Sequence, residues 1–413
     1  MVSREPMDKT AKPVKRRDLR ILWSSNSPYS FSGYGVFTKD LLSYLVKDSW
    51  PVACLSFFGL EGHPIEMDGL KIYPRMGEGF GSDALVAHGL DWKANVIFTM
   101  QDIPTLNPQH LSQIKYWIPY FPIDKTPASQ FVLERIRYAY KLLTFSQFGH
   151  KTLQEAGFSS TMIPEGTDVN MFKPLSNKAE LRKKYGIPPN AINFVMVAAN
   201  KENPPRKGFQ EALTAFKMFS DQHPEAFLSI YIQQLDPGGF PIATYAHHLG
   251  LDGKTTVRND YHTVYKWTSK DINEIYNTAD ILLHPSQTEG FGLTIIEAQS
   301  SGIPVVIQDC QSMPELIIEG KTGEVAETLY ERYTNDLGFV NIANPKSVYE
   351  AMERQFNKLK ANPEQVAKDC RDNIVANYNV TKIIKDRWIP YLESLQEELL
   401  PIDKETPDPL QSK

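Results

Sequence analysis

Two glutamates, Glu289 and Glu297, bracket the stretch EGFGLTIIE, and a cationic turn, Asn200-Lys201-Glu202-Asn203-Pro204-Pro205-Arg206-Lys207-Gly208, lies upstream of them. An apolar run, Ile281 to Leu283, ends in Pro285-Ser286; the loop Glu289-Gly290-Phe291-Gly292 opens an amphipathic run from Leu293 to Ser301, and a second apolar run spans Ile303 to Ile307. That order predicts strand, loop, helix and strand, a right-handed βαβ unit in a parallel sheet. With a helix beginning near Glu289, the step to Glu297 covers roughly 12 Å at ~1.5 Å per residue. Between the two carboxylates the free N–H groups of the first turn suit an anion. The cationic turn follows an apolar strand, Ile192 to Ala198, and opens a helix, Phe209 to Phe219, so that cations and first-turn amides aim at one point, a phosphate site. A nucleotide diphosphate sugar fits that layout. Taken singly, Glu289 also reads as an ordinary helix-terminal carboxylate and Glu297 as a solvated residue.

The elements that must position these groups recur along the chain. Strand-like runs occur at Leu19 to Trp23, Val52 to Phe57, Asn95 to Met100, Tyr116 to Phe121 and Leu142 to Phe145, and again at Ala226 to Gln233 and Thr255 to Asn259. Helical runs such as Val36 to Leu45 and Ser269 to Thr278 lie between several of them. The alternation predicts an α/β chain with doubly wound parallel sheets, whose ligands gather outside the strands' carboxyl ends. Gly33 and Gly35 fall in the loop after the first strand, where backbone can approach a ligand closely. Asp102 and Asp124 emerge at two further strand ends, where active-site residues of such sheets sit. Met76 to Ser82 (MGEGFGS) follows no convincing strand and opens no clear helix, so it reads as a loop and not as a dinucleotide fingerprint. Lys173 to Asn190 reads as a linker, and the chain beyond Gly323 as irregular, then helical from Lys346 to Lys360 and from Thr381 to Leu395, with a kink at Pro390.

Composition narrows the class. A chain of 413 residues with 41% hydrophobic content is long enough for two domains with sizeable cores. A net charge of −5 argues against a general nucleic-acid binder. Cys54, Cys310 and Cys370 are widely spaced, odd in number and expected to be structural in a reducing compartment. With no long apolar run and no signal-like apolar core, the expected protein is soluble and cytoplasmic. Residues 1–17 are expected to form a disordered tail whose Lys15-Arg16-Arg17 could touch anionic lipid weakly, and residues 401–413 a frayed one. The chain contains no Asp-x-Asp triplet and no His-rich or Cys-rich ligand cluster, so no metal is expected.

EGFGLTIIEAQSSGIPVV resembles the nucleotide-sugar motif of glycosyltransferase family 4, and Met313-Pro314-Glu315-Leu316 and Gly320-Lys321-Thr322-Gly323 follow in register. The likeness runs from about Leu19 to Leu395. It implies a GT-B fold of two Rossmann-like domains facing a cleft: residues 18–175 on the acceptor side, residues 176–380 binding the nucleotide sugar, and a last helix, 381–395, crossing back to the first domain. It further implies retaining, metal-independent transfer of a hexose-type sugar from a UDP- or GDP-linked donor, used as co-substrate with no bound cofactor, to an acceptor the sequence does not identify. In that scheme Glu289, with the amides of Gly290, Phe291, Gly292 and Leu293, holds the sugar and Glu297 the ribose. Gly33 and Gly35 face the diphosphate; Lys207 matches the family's phosphate-binding Lys, while Asn200, Lys201 or Arg206 fills the place of its Arg. Trp267 and Thr268 border the base, and Glu165-Gly166, in IPEGTD where IPNGVD is common, lie at the cleft. Many members carry a His after the strand that here reads YFPID, which leaves Asp124, then Asp102, as the polar contacts to the transferred sugar. A same-fold phosphorylase or epimerase, and a nucleotide-sugar binder without chemistry, are the alternatives.

Overall fold

The computed structural model describes residues 16–30, 32–235, 238–258 and 267–401. The tails expected at 1–17 and 401–413 therefore lie almost wholly outside the described residues, as does the approach to Trp267 through Tyr265.

Two sheets form the frame. The first holds β1 (Ile21–Asn26), β2 (Val52–Phe58), β3 (Ile65–Met67), β4 (Leu70–Pro74), β5 (Val96–Met100), β6 (Trp117–Phe121), β7 (Leu143–Thr144) and β8 (Thr161–Met162), in the order β3-β4-β2-β1-β5-β6-β7-β8. Only β3 runs antiparallel to its neighbour. The second holds β9 (Ile192–Asn200), β10 (Ala226–Leu235), β11 (Thr255–Arg258), β12 (Ile281–His284), β13 (Val305–Gln308) and β14 (Gly323–Ala326), in the parallel order β11-β10-β9-β12-β13-β14. The sequences VIFTM and WIPYF are buried at every position, as strands covered by helices on both faces must be. Strand order reverses between β1 and β5 and between β9 and β12, and each reversal opens a crevice at the strands' carboxyl ends.

The C-terminal run returns to the first sheet. The Trp388 ring lies 5.5 Å from Trp23 and 5.0 Å from Tyr120, both fully buried in that sheet's core. The expected single kinked helix is in fact three pieces, Val380–Ile383, a π-helical turn Ile384–Trp388, and Ile389–Leu399. Pro390 sits in the first turn of the last piece, where a missing N–H is least costly, and the wide turn precedes it.

Other expectations need correction. The first helix is Gly33–Lys47, so Gly33 and Gly35 belong to its first turn, capped by Ser32, and not to the loop before it. Met76 to Ser82 does follow a strand, β4, and does lead into a helix, Ser82–Trp92; the strand LKIYP is too short to read by pattern. Arg17 is no part of a loose tail. It pairs with Asp48 at 2.9 Å and Glu393 at 3.0 Å and stacks over Trp50, joining the start of the chain to its last helix. Beyond Gly323 the chain is regular: β14 is followed by a hairpin, β15 (Thr328–Tyr333) with β16 (Phe339–Ala343), and by the helices Pro345–Ala361 and Pro363–Asn377. The hairpin lies between the two halves. Phe339 N donates to Thr126 O at 3.2 Å and Asn341 N to Gln287 O at 2.9 Å, while Lys125 pairs with Asp336 at 3.0 Å.

Candidate active site

The two crevices face each other across a cleft of about 1,040 Å³ whose walls come from both sheets. Two helices begin there. Gly33–Lys47 follows β1 and Leu293–Ser300 follows β12, and a Cβ built on Gly33 would stand 3.0 Å from Leu293 Cδ1. Apart from Gly35 N, which donates to the Ser32 cap at 3.1 Å, their first-turn amides and positive dipole ends therefore meet across the gap, a local preference for negative charge.

The cationic turn after β9 completes that wall. Gly208, with φ of +67°, brings the turn against the loop after β12; a Cβ there would lie 1.9 Å from Pro285 O. Gln287 N and Ser286 Oγ donate to Arg206 O at 2.7 and 3.1 Å, and Arg206 Nη1 donates to Thr288 O at 3.2 Å. The two loops are thus one unit, and Lys201, Arg206 and Lys207 all line the cleft. Lys207 Nζ is ion-paired with Glu289 Oε1, which also accepts from His284 Nε2 at 3.0 Å. Burial would raise the Glu289 carboxyl, but Lys207, His284 and Arg206 hold it well below the usual carboxylate range. Burial lowers the His284 imidazole from its ordinary value; against the ionised Glu289 its Nε2–H donates, and Nδ1 lies 3.4 Å from Thr294 Oγ1.

Glu297 is reached differently from the expectation. The helix starts at Leu293, so only the second half of the Glu289 to Glu297 interval is helical. Glu297 is buried and accepts from Tyr276 OH at 2.9 Å; burial pushes it up to about 8. With Gly33, Trp267 and Leu293 it lines a small recess of about 80 Å³ beside the main cleft. Trp267 packs edge-on against Tyr231, with ring centroids 5.4 Å apart, and Thr268 is the cap of Ser269–Tyr276, in a capping box with Asp271.

The first-sheet residues divide. Asp102 and Asp124 line the cleft; Asp102 accepts from Tyr34 OH at 2.8 Å, and Asp124 Oδ1 lies 3.5 Å from Lys125 Nζ. Glu165, 3% exposed, lies on the cleft floor with Oε1 unpartnered, and burial followed by the charges of Glu289 and Glu297 pushes it up to about 8. Two candidates serve architecture. Asn200 uses its side chain to clamp Phe240 N and O, and a Cβ on Gly166 would strike Val380 Cα and Tyr378 O of the returning segment. Gly35 lies against Ser27 and Ser30, and Gly290 against Pro122, where a Cβ would stand 2.2 Å from Pro122 Cβ. Phe291 and Gly292 line the cleft beside them.

Sequence reasoning missed His284, although a His closing the strand ILLH just before Pro285 stands at a strand's carboxyl end, which was the available signal. It also passed over Tyr34, Tyr276, Arg75 and Phe57, which no spacing marks, whereas Phe80, the partner of Phe57, lies in the Met76 to Ser82 stretch read as a loop. Among the described residues, no three His, Cys, Asp or Glu side chains converge to hold a metal ion, and no helix is long and apolar enough to cross a membrane.

Residues 177–331 match the family model described as "Glycosyl transferases group 1". D-inositol 3-phosphate glycosyltransferase of Corynebacterium glutamicum is 29% identical over 165 residues, 40% of this chain and 38% of that protein. The enzyme of the same name from Corynebacterium diphtheriae is 26% identical over 171 residues, 41% of this chain and 39% of that one. The matched chain thus spans well under half the length of these curated relatives. Among solved structures, sucrose-phosphate synthase from Thermosynechococcus elongatus superposes with a TM-score of 0.72 at 16% identity, covering 92% of this chain and 99% of that one. The Anabaena protein HepE in complex with UDP-glucose superposes with a TM-score of 0.69 at 15% identity, covering 91% and 100%. At such identities these likenesses speak for the fold. This chain accordingly has the GT-B fold, and its residues 177–331 are similar to the group 1 glycosyl transferases, in keeping with the family 4 resemblance.

Proposed function

We propose that this chain is a retaining glycosyltransferase that moves a hexose-type sugar from a nucleotide diphosphate sugar to an acceptor hydroxyl. The observation that carries the reading is the convergence, in one cleft, of two helix N-termini with Lys201, Arg206 and Lys207 beside the ion-paired Glu289. Such a site stabilises a diphosphate as it departs, through fixed donors and cations. The positive charge supplied by these groups is the charge a divalent ion would otherwise contribute, so the reaction is proposed to run without a metal.

In this scheme the bond from the sugar's anomeric carbon to the diphosphate oxygen breaks, and the bond to the acceptor oxygen forms on the same face. The acceptor's proton passes to the departing phosphate oxygen, and no protein base is required. Lys207 and Arg206 take the growing negative charge. Glu289, held ionised and oriented by Lys207 and His284, accepts hydroxyls of the transferred sugar. Glu297 lies beside the recess bordered by Trp267 and binds the ribose there, which puts the base near Trp267. UDP-glucose is the first donor to test, because a GT-B neighbour was solved with it; GDP-linked sugars are the second.

The test is a thermal-shift panel of nucleotide sugars, followed by NMR of the product's anomeric proton. Stabilisation by one nucleotide sugar and a product of unchanged anomeric configuration support the proposal. No stabilisation by any donor, or an inverted product, refutes it.

A further inference from the structure

The donor reading uses the second-sheet wall and, of the first-sheet wall, only the start of the helix Gly33–Lys47, and leaves the rest of that wall without a ligand. On the second-sheet wall, Lys201, Arg206 and Lys207 line the cleft with one lining carboxylate, Glu289, and Arg206 Nε is also paired with Glu202 at 3.2 Å. The first-sheet wall reverses that balance. Among the described residues that line it, Glu61, Asp102 and Asp124 stand with one cation, Arg75, whose Nη2 is held 2.6 Å from Glu61 Oε1; Lys125, 3.5 Å from Asp124, lies outside the lining, and Glu165 stands there as the protonated acid. Gln101, 1% exposed, donates Nε2 to Thr105 Oγ1 at 3.1 Å and leaves its Oε1 buried with no partner, as Glu165 does. An unpartnered buried acceptor costs about 1–3 kcal/mol, and a ligand hydroxyl would recover it.

Next to these acceptors the wall turns aromatic. Phe57 and Phe80 lie 6.1 Å apart, and Phe58 and Phe80 remain 58% and 50% exposed at the mouth. Aromatic faces take up the C–H face of a saturated ring, while the surrounding oxygens call for many donors. A flat heteroaromatic ring would stack on the same faces but brings few donors to a wall that offers five acceptor side chains. A phosphate would find Arg75 already paired with Glu61 and would lie beside the carboxyls of Asp102 and Asp124.

Resting on the transferase reading above, we infer that the acceptor is an uncharged, polyhydroxylated ring, the end of a saccharide, seated on Phe58 and Phe80 with a hydroxyl donating to Gln101 Oε1. Phosphorylated acceptors are discriminated against by the same wall.

The experiment uses the full chain and whichever nucleotide sugar gives the largest thermal shift. Nucleoside diphosphate release is measured with glucose against glucose 6-phosphate, inositol against inositol 3-phosphate, and with maltose and cellobiose. Binding of the same compounds is followed by saturation-transfer NMR in the presence of UDP or GDP. Neutral compounds should be favoured by about tenfold or more over their phosphate esters, the scale of one unfavourable charge contact. Phe80→Ala and Gln101→Ala should each raise the apparent KM for the neutral acceptor about tenfold, while the donor thermal shift persists. Preference for the phosphate esters, or no binding and no stimulation by either class, overturns the inference. A donor shift with only phosphorylated acceptors active would sink the acceptor class and leave the donor site standing. Absence of any donor shift would instead sink the transferase reading, and saccharide binding by NMR would still decide the acceptor wall.

Discussion

The two sheets of this chain share a plan, a parallel order that reverses once, and differ in what they present at the reversal. After β9 and β12 the chain offers cations and helix amides, laced into one unit by Gly208 and Arg206. The first sheet also offers a helix amide end after β1, but it adds oxygen acceptors after β5 and phenyl rings at the end of β2 and after β4. Topology places a crevice; side chains at the strand ends decide which charge it takes.

The sharpest way to break that contrast is to disarm the cationic wall. Lys207→Ala and Glu289→Gln should each lower kcat by about 10²–10³-fold, the scale of losing one preorganised electrostatic group. Single-turnover rates near wild type in both would assign the chemistry elsewhere. Gly208→Ala comes next. With φ of +67° and Pro285 O 1.9 Å from the added Cβ, it should cost about 2–4 kcal/mol in urea unfolding. Gly33→Ala, whose Cβ meets only the movable end of Leu293 at 3.0 Å, should cost about 1 kcal/mol or less. Equal losses would mean that the second-sheet loops are no more rigidly joined than the first.

Glu297→Gln should weaken donor binding by about tenfold with kcat within a few-fold of wild type, as expected for a group that holds ground state and transition state alike. Calorimetric titration with the donor checks it; an unchanged Kd would remove Glu297 from the ribose. A pH-dependent effect concerns Glu165. Burial, then Glu289 and Glu297, push its carboxyl up from 4.5 to about 8, so the folded chain keeps a proton there that the unfolded chain sheds. The contribution is full below about pH 4.5 and declines up to about pH 8, by as much as ~1.4 kcal/mol per pH unit for one such group. Glu165→Gln should flatten the fall of Tm with rising pH over that window, leaving the share of Glu297, which is raised in the same sense. Superimposable Tm profiles for wild type and variant would show that Glu165 is ionised throughout.

Much of the frame was readable because period and length signal it. β9, β12 and β13 are short apolar runs between turn residues, and the βαβ unit around Glu289 reads directly from them. The hairpin β15–β16 was not readable: TLYERY is largely exposed, and its partner is chosen by contacts with Thr126 and Gln287 far along the chain. Helix starts failed for a related reason, since glycines at 33 and 35 read as loop until Ser32 is seen to cap them. At the site, the charge types of Lys207, Glu289 and Glu297 were legible, and their partners were not.

By itself, then, the sequence determined which side chains carry charge at the strand ends and that the strands lie in doubly wound sheets, because apolar periodicity and turn chemistry are local properties. Only the tertiary structure decided that Lys207 and His284 both bind Glu289, that Asn200 and Gly166 serve packing, and that carboxylates and phenyl rings gather opposite the cations. Those outcomes depend on which segments meet across the cleft, and a meeting between residues far apart in the chain is settled by packing, which no local pattern records.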